Sequence, residues 1–270
     1  MPFPLPLLLV LAQGPAPSPQ PAEPAGIEDN SFLVEEAYNQ ERGVVQHIST
    51  FSRGQTGDWL YTFTQEWPFN PSPQHQLSYT VALTSADGRM GVGDVWVNWR
   101  YQVANTERLA IAPRASVSIP SGSASDGRGA GGAGIQVNLP ISVRVRGGDV
   151  ELHSNAGATF YPRVQDAVGD TARTAGVTVA QSAVWRARPR FNVFTEVVFA
   201  RQQDVVAANT TTWSTSAVVN PGVRWAWNLA NGTQIVPGFS VPVDVKQPAG
   251  DRWSVFAYLS IEHPFGRHHE

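Results

Sequence analysis

The sequence has no cysteine, a single lysine and no long apolar run. Without cysteine, the chain can form neither a disulfide framework nor a thiolate metal site. Lys246 is the one lysine, the net charge is −3, and no basic patch appears, so we expect no nucleic-acid partner. Charged residues make up 15% of the 270 residues, against about a quarter in an ordinary soluble domain. No apolar run approaches the roughly 18 residues that a membrane-spanning helix needs.

The first 43 residues differ in composition from the rest of the chain. Residues 4–12, PLPLLLVLA, resemble the apolar core of a secretory signal, although the first basic residue is Arg42. We therefore expect residues 1–12 to be a signal peptide, truncated at its start, or no signal at all. Residues 13–26 are rich in proline and alanine and predict an extended linker.

From residue 44 onward, apolar and polar residues alternate with period two, which predicts β-strands. In GIQVNLPISVRV (134–145) the odd positions are apolar and the even positions mostly polar, and Gly147-Gly148 then predicts a tight hairpin. About twelve strands follow from this pattern. They are expected near residues 44–53, 58–67, 75–85, 93–104, 108–119, 134–146, 149–161, 175–187, 191–201, 214–228, 233–245 and 252–265.

Three features favour lipid over a protein core as the surface that the apolar faces contact. Most strands have ten or more residues, and a tilted strand needs about 9–11 to cross a bilayer. Connections are mostly short after even strands and longer after several odd strands, as in outer-membrane barrels. Aromatic residues of outward parity gather near the strand ends, as membrane interfaces select. The predicted girdle residues are Trp59, Trp67, Trp99, Tyr101, Phe160, Trp185, Phe199, Trp225, Trp227, Trp253 and Phe265.

These features predict an all-β, transmembrane, antiparallel up-and-down β-barrel over residues 44–265, with a tail at 266–270. A secreted soluble β-sandwich is the alternative fold, because its strands alternate too. Several prolines fall inside the predicted strands, where they remove a ladder donor, so we expect bulges at several of them. These prolines are Pro113, Pro140, Pro221, Pro237 and Pro242.

The inward positions carry charges and aromatic rings. Predicted lumen charges are Glu66, Asp94, Arg100, Arg114, Arg144, Glu151, Arg186, Glu196, Arg224 and Glu262. Predicted lumen aromatics are Trp96, Tyr161, Phe194, Phe256 and Tyr258. The charges could form a structural Arg–carboxylate network or line a path for polar solutes. The rings could guide an aromatic solute or simply pack against the N-terminal segment. Residues 27–43 either enter the lumen as a plug, with Glu35 and Glu36 meeting inward arginines, or stay in the periplasm.

No enzymatic or cofactor motif appears. Consecutive strand residues face opposite sides, so His153 and Ser154 cannot meet, and we find no convincing Ser–His pair of matching parity on neighbouring strands. A G-x-S-x-G nucleophile elbow is absent from the sequence. We therefore expect no enzyme activity, no cofactor and no metal site.

Several phrases of the chain resemble the bacterial outer-membrane family labelled "MetA-pathway of phenol degradation". They are EDNSFLVEEAYNQERGVVQHIS, GVGDVWVNWRYQV, IAPRASVSIPSG, GIQVNLPISVRV, NPGVRWAWNLANGTQIVPGFSVPV and FAYLSIEHPF. The resemblance covers residues 27–265 and implies an outer-membrane barrel that passes small molecules, including hydrophobic or aromatic ones. It carries over no functional residues. The tail GRHHE departs from the terminal aromatic residue typical of such barrels.

The sequence thus predicts a porin-like channel or transporter in the bacterial outer membrane. Its expected partners are outer-membrane lipid, an unidentified small solute and the barrel-assembly machinery. A closed-lumen barrel with a structural or interaction role through its external loops is the alternative function.

Overall fold

A computed structural model describes residues 26–27, 31–69, 72–86, 88–246 and 251–265. The predicted signal peptide, almost all of the predicted linker and the 266–270 tail lie outside the described residues. No helix among the described residues is long and apolar enough to cross a membrane.

The described chain folds into twelve antiparallel strands in sequence order. They are β1 Val44–Gly54, β2 Trp59–Pro68, β3 His75–Ala86, β4 Arg89–Val92 with Val95–Tyr101 and Ala104–Asn105, β5 Leu109–Ile111 with Arg114–Ile119, β6 Gly134–Val145, β7 Val150–Gln165, β8 Thr171–Arg188, β9 Phe191–Ala207, β10 Thr210–Trp225 with Trp227–Asn228, β11 Gln234–Ser240 with Val243–Lys246, and β12 Ser254–Pro264. Each pairs with its neighbours in the chain.

The first and last strands pair and close the sheet into a barrel. The ladder between β1 and β12 runs without a register shift from Val44 opposite Pro264 to Gly54 opposite Ser254. Because a closed sheet has no edge, every strand can satisfy its backbone groups with two neighbours. The predicted fold is confirmed. We call the end of the barrel that holds Val44 and Pro264 the base, and the opposite end the mouth.

The strands alternate as predicted, with apolar residues outside and polar residues inside. In β6, Val137 and Leu139 are exposed while Ser142 is completely buried. The same alternation recurs across the barrel, where Ser182, Glu196 and Asn220 on three successive strands are fully buried. The inner face is therefore hydrophilic and the outer face apolar, the arrangement that a lipid surround requires.

Aromatic side chains occupy both rims of the outer face. Trp99, Trp185 and Trp227 are exposed near the base, and Phe160, Phe199 and Trp253 are exposed toward the mouth. Trp225 lies against Trp227 with ring centroids 6.2 Å apart. The other predicted girdle residues, Trp59, Trp67, Tyr101 and Phe265, lie at or beside strand ends.

The strands toward the mouth are longer than predicted, and the connections there are shorter. The segments expected as loops after β7 and β9 continue the ladders, so that β8 has 18 residues and β9 has 17. The β9–β10 turn is Ala208-Asn209, with Asn209 at a φ of 57°. Alternating Thr, Val and Gln residues continue the strand pairing beyond the apolar band. Composition alone did not distinguish these segments from loops. Residues 120–133 between β5 and β6 do form a long connection.

The bulges expected at the strand prolines are absent. Interruptions at or beside the prolines accommodate them instead. Pro140 and Pro221 sit in continuous strands, opposite Asn155 and Thr195. The carbonyl of Pro140 accepts a hydrogen bond from the N–H of Ala112, and that of Pro221 accepts one from Val241. Each donor lies at an interruption in the neighbouring strand.

The other strand prolines lie at or beside interruptions. Pro113 and Pro242 occupy the interruptions opposite Pro140 and Pro221. Pro237 lies opposite Leu259 and beside the break in β10 at residue 226. The N–H donors that these prolines lack therefore fall at places where the sheet ladder is interrupted.

Replacing Leu139 with arginine tests the outward parity. Leu139 is 40% exposed in the middle of β6, so Leu139→Arg places a charge in hydrocarbon and should cost about 2–4 kcal/mol of unfolding free energy in lipid vesicles. Urea titration of the refolded barrel measures this loss. Val168→Arg is the control, because Val168 is 86% exposed in the β7–β8 turn. Equal stability of the two variants would contradict the assignment.

Candidate functional site: a chain segment in the lumen

Residues 31–43, which we call the lumen segment, contact the inner face of the barrel on nearly every side. Their partners lie on β1, β3, β4, β6, β7, β8, β9 and β12. The segment is mostly buried, with Val34 and Ala37 at 1% and 0% exposure. It leads directly into β1 at the base, so it enters the lumen from that end.

Phe32 is the apolar anchor of the lumen segment. Its ring stacks on Tyr258 and Phe256, with centroids 4.7 and 5.5 Å away, and meets Phe194 edge-on at 4.5 Å. Gly238 makes room for the ring, because a Cβ atom there would lie 2.3 Å from Phe32 Cζ. Three of the predicted lumen aromatics therefore pack around one residue of the segment.

The backbone of the lumen segment is held by side chains of the barrel wall. The Glu196 carboxylate accepts hydrogen bonds from the N–H groups of Leu33 and Val34 at 3.0 and 3.1 Å. Asn155 accepts from the N–H of Glu35 and donates to its carbonyl, at 2.9 and 2.8 Å. These side chains replace the ladder partners that an isolated chain in the lumen lacks, and a buried backbone needs such partners.

The second half of the segment is held in the same way. Ser142 Oγ accepts from the N–H of Ala37 at 2.8 Å, and Gln76 accepts from the N–H of Gln40 at 2.7 Å. Gln102 donates to the carbonyl of Ala37 at 2.9 Å. The anchoring thus continues along the segment toward the base.

Glu35 bridges two wall arginines, which is one of the two arrangements that the sequence left open for this segment. Its carboxylate lies 2.8 Å from Arg114 and 3.3 Å from Arg100. Arg100 also donates to the carbonyl of Tyr38 at 3.0 Å, and Arg114 donates to Asn98 at 2.9 Å. Because Arg100 is buried and Arg114 is only partly exposed, removing Glu35 would leave two charges less well compensated. Glu36 is also buried, at 4% exposure.

A second charged cluster surrounds Tyr38. Glu151 pairs with Arg186 at 2.7 Å and with Arg144 at 3.2 Å, and the Arg144 guanidinium lies 4.7 Å from the centre of the Tyr38 ring. Burial, and then the neighbouring Glu151 carboxylate, raises the pKa of the Tyr38 phenol. The cluster contacts the segment through the cation–π interaction of Arg144 with Tyr38, while Glu151 holds Arg144 in place by charge pairing.

A cavity of about 280 Å³ adjoins the lumen segment. Phe32, Leu33, Val34 and Glu35 form one side of it. The opposite wall carries hydroxyl groups on β1, β2 and β3, contributed by Thr50, Thr62, Thr64, Ser78 and Thr80. The cavity therefore combines aromatic, hydroxyl and charged surface.

The remaining predicted lumen residues occupy three environments. Trp96 and Tyr161 meet edge-on with centroids 6.4 Å apart, away from the Phe32 cluster. Asp94 accepts from the N–H groups of Gly122 and Ala130 at 2.9 and 2.8 Å, so it holds the β5–β6 loop. The others line the inner wall: Glu66 bonds Gln76, Arg224 is 1% exposed, and Glu262 lies opposite Gln46 in the β1–β12 ladder.

Sequence reasoning missed a Ser–His pair. Ser142 and His153 face each other across β6 and β7, and Ser142 Oγ lies 2.7 Å from His153 Nδ1. The pattern contains the signal, since both residues have inward parity on adjacent strands. The pair is not arranged for catalysis, because both residues are fully buried and Ser142 already accepts the N–H of Ala37. Phe32 and the polar anchors Gln76 and Gln102 were also missed, because uncharged residues give no charge signal.

No group of three or more His, Cys, Asp or Glu side chains that could hold a metal ion occurs among the residues that the structure describes.

No known family model matches the chain, and no curated protein matches it in sequence. The family resemblance predicted from the sequence phrases is therefore not confirmed.

Solved structures, in contrast, share the fold. The chain is similar to the COG4313 outer membrane channel from Pseudomonas putida F1, with a TM-score of 0.61, 10% identity, and coverage of 85% of this chain and 98% of that one. It is also similar to the KdgM porin, solved in complex with disordered oligogalacturonate, with a TM-score of 0.50, 9% identity, and coverage of 83% and 99%. The protein has the fold of an outer-membrane β-barrel. At these identities the likeness shows the fold alone.

Shortening Phe32 to alanine tests the apolar anchor. Phe32→Ala removes the ring from the Phe194, Phe256 and Tyr258 cluster and leaves a cavity, at a typical cost of about 3–5 kcal/mol. Because the barrel ladders remain intact, we expect the lumen segment to detach while the barrel stays folded. Hydrogen exchange at Val34 should accelerate. Leu33→Ala is the control, since Leu33 is 36% exposed, and equal exchange in the two variants would reject the anchor role.

Proposed function

We propose that the protein is an outer-membrane channel or transporter for small molecules, in which the lumen segment acts as a plug. One observation carries the proposal: the wall side chains that would line a solute path are the groups that bind the segment. Glu196, Asn155 and Arg100 all bind it in the described structure. Displacing the segment would expose a hydrophilic inner wall, as a conducting path requires.

The structure of the segment supports displacement as a discrete step. Its contacts are mostly side chain to backbone, without a strand ladder, and Phe32 supplies the main apolar contact. Elements with few cooperative backbone bonds open at lower free energy than the ladders that surround them. The plug can therefore move while the barrel stays closed along β1 and β12.

The proposed solutes are small molecules, including hydrophobic or aromatic ones. The family resemblance of the sequence phrases suggests this class, and the cavity supports it with aromatic surface from Phe32, Phe256 and Tyr258 opposite threonine hydroxyls. A partly polar aromatic molecule would find both kinds of contact there. We further propose that the barrel carries out no reaction of its own and inserts through the barrel-assembly machinery.

A closed barrel with a structural or interaction role through its external loops is the second candidate. The dense packing of the lumen segment favours it, because Val34 and Ala37 are almost completely buried. In that case the charged clusters would be purely structural, and the segment would never leave the lumen.

A reversible disulfide distinguishes the two candidates. The hydroxyl oxygens of Ser31 and Ser182 lie 2.7 Å apart, so Ser31→Cys with Ser182→Cys brings two sulfur atoms within bonding range after small side-chain adjustments. The chain has no other cysteine that could compete. The bond would pin one end of the lumen segment to β8, while the other end is already continuous with β1.

Planar-bilayer recording of this variant gives the test. We expect conductance steps under reducing conditions and their loss, roughly tenfold or more, after oxidation, because the plug can no longer leave. Thr50→Cys with Thr62→Cys is the control, since these wall hydroxyls lie 2.6 Å apart and a bond there leaves the segment free. Unchanged steps after oxidation would contradict the plug. Silence of the wild type and both variants, with folding verified, would favour the closed barrel.

A further inference from the structure

Two histidines meet on the outer face of the barrel at the seam where the first and last strands pair. His47 belongs to β1 and His263 to β12. In the ladder His47 lies opposite Ile261 and Val45 lies opposite His263, so the two rings are diagonal neighbours. They are independent of the lumen segment and its cavity.

The geometry of the pair fits shared coordination of one ion. The two Nε2 atoms lie 3.1 Å apart. Two imidazole nitrogens bound tetrahedrally to one zinc ion, each at about 2.0–2.1 Å, are about 3.3 Å from each other. The ring planes differ by 22°, and the broad χ2 torsion of histidine lets each ring turn its lone pair toward a common point.

The tautomer of one ring is already suitable for metal binding. His263 Nδ1 lies 3.1 Å from the carbonyl oxygen of Pro264, which can only accept, so Nδ1 carries the proton. Nε2 of His263 therefore presents a lone pair. A histidine that donates its other N–H to a carbonyl is the usual arrangement around protein-bound metals. Without metal, His47 Nε2–H donates to His263 Nε2, and on binding the proton of His47 moves to Nδ1.

The position of the pair gives aqueous ions access. Both rings are partly exposed near the base, and Gln65 lies opposite His47 on β2. Trp67, a girdle residue, is two positions further toward the base on the same face of β2. The pair therefore lies close to interfacial depth, where aromatic girdles mark the boundary with water.

We infer that His47 and His263 form a binding site for a divalent transition-metal ion, with zinc as the probe, that clamps the barrel seam. Imidazole nitrogen is a favourable ligand for zinc and copper ions. Among the described residues these two provide the protein ligands, and water completes the coordination. A metal that bridges β1 and β12 binds the closed barrel and not the open chain, so it stabilises closure.

Calorimetric titration of the folded full chain with zinc chloride, in detergent and without a polyhistidine tag, tests the site. We expect one ion per barrel. His47→Gln and His263→Gln should each weaken binding at least about tenfold, since even outer-shell partners of a metal contribute that much. Zinc should also raise the urea midpoint of the wild type and leave that of His47→Gln unchanged. Heat-modifiable gel mobility verifies that each variant is folded.

Two control variants test whether zinc binding is specific to the pair His47 and His263. His75→Gln removes another histidine on the outer face, which accepts a hydrogen bond from Trp99 at 3.0 Å, and should bind zinc like the wild type. His268→Gln with His269→Gln removes the histidines of the tail and should do the same. Loss of binding in the tail variant but not in His47→Gln would overturn the inference. Absence of binding by the wild type would also overturn it and leave a hydrogen-bonded ring pair.

Discussion

Pairing of β1 with β12 is the constraint on which the rest of the structure depends. In hydrocarbon every backbone N–H and C=O needs a partner within the protein, and the unbroken ladder from Val44–Pro264 to Gly54–Ser254 provides it for the two strands that would otherwise be edges. Closure of twelve strands in turn encloses a lumen wider than that of an eight-stranded barrel, whose interior side chains can fill. In this barrel, residues 31–43 occupy part of the interior.

The lumen segment fills part of that space, and its own backbone needs hydrogen-bond partners there. Its backbone has no ladder partner, so Glu196, Asn155 and Ser142 act as substitutes on the wall. A hydrophilic wall suited to solute passage is also a wall suited to binding a chain segment. In the proposed function, the side chains that bind the segment also line the path that its displacement would open, and Phe32 supplies the main apolar contact that holds the segment in place.

Prediction from sequence succeeded where a single local pattern determines the structure. Period-two alternation identifies the inward face of a strand, so Arg100 and Arg114 could be placed on the inner wall before their contacts were seen. It failed where a neighbouring strand decides the outcome. Pro140 and Pro221 need no bulge, because the adjacent strands are interrupted beside them, and the segments after β7 and β9 stay in the ladder because their neighbours do.

The sequence by itself determined the class of fold: apolar alternation, strand length and aromatic rims imply a barrel in lipid, because no other sheet satisfies its backbone there. Only the tertiary structure decided what occupies the lumen and which outer residues meet at the seam. Phe32 packs against Tyr258, which lies far away in the chain, and His47 meets His263, 216 positions away, through the register of β1 with β12. A local sequence pattern contains no information about contacts between residues so far apart in the chain, since these contacts form only when the barrel closes.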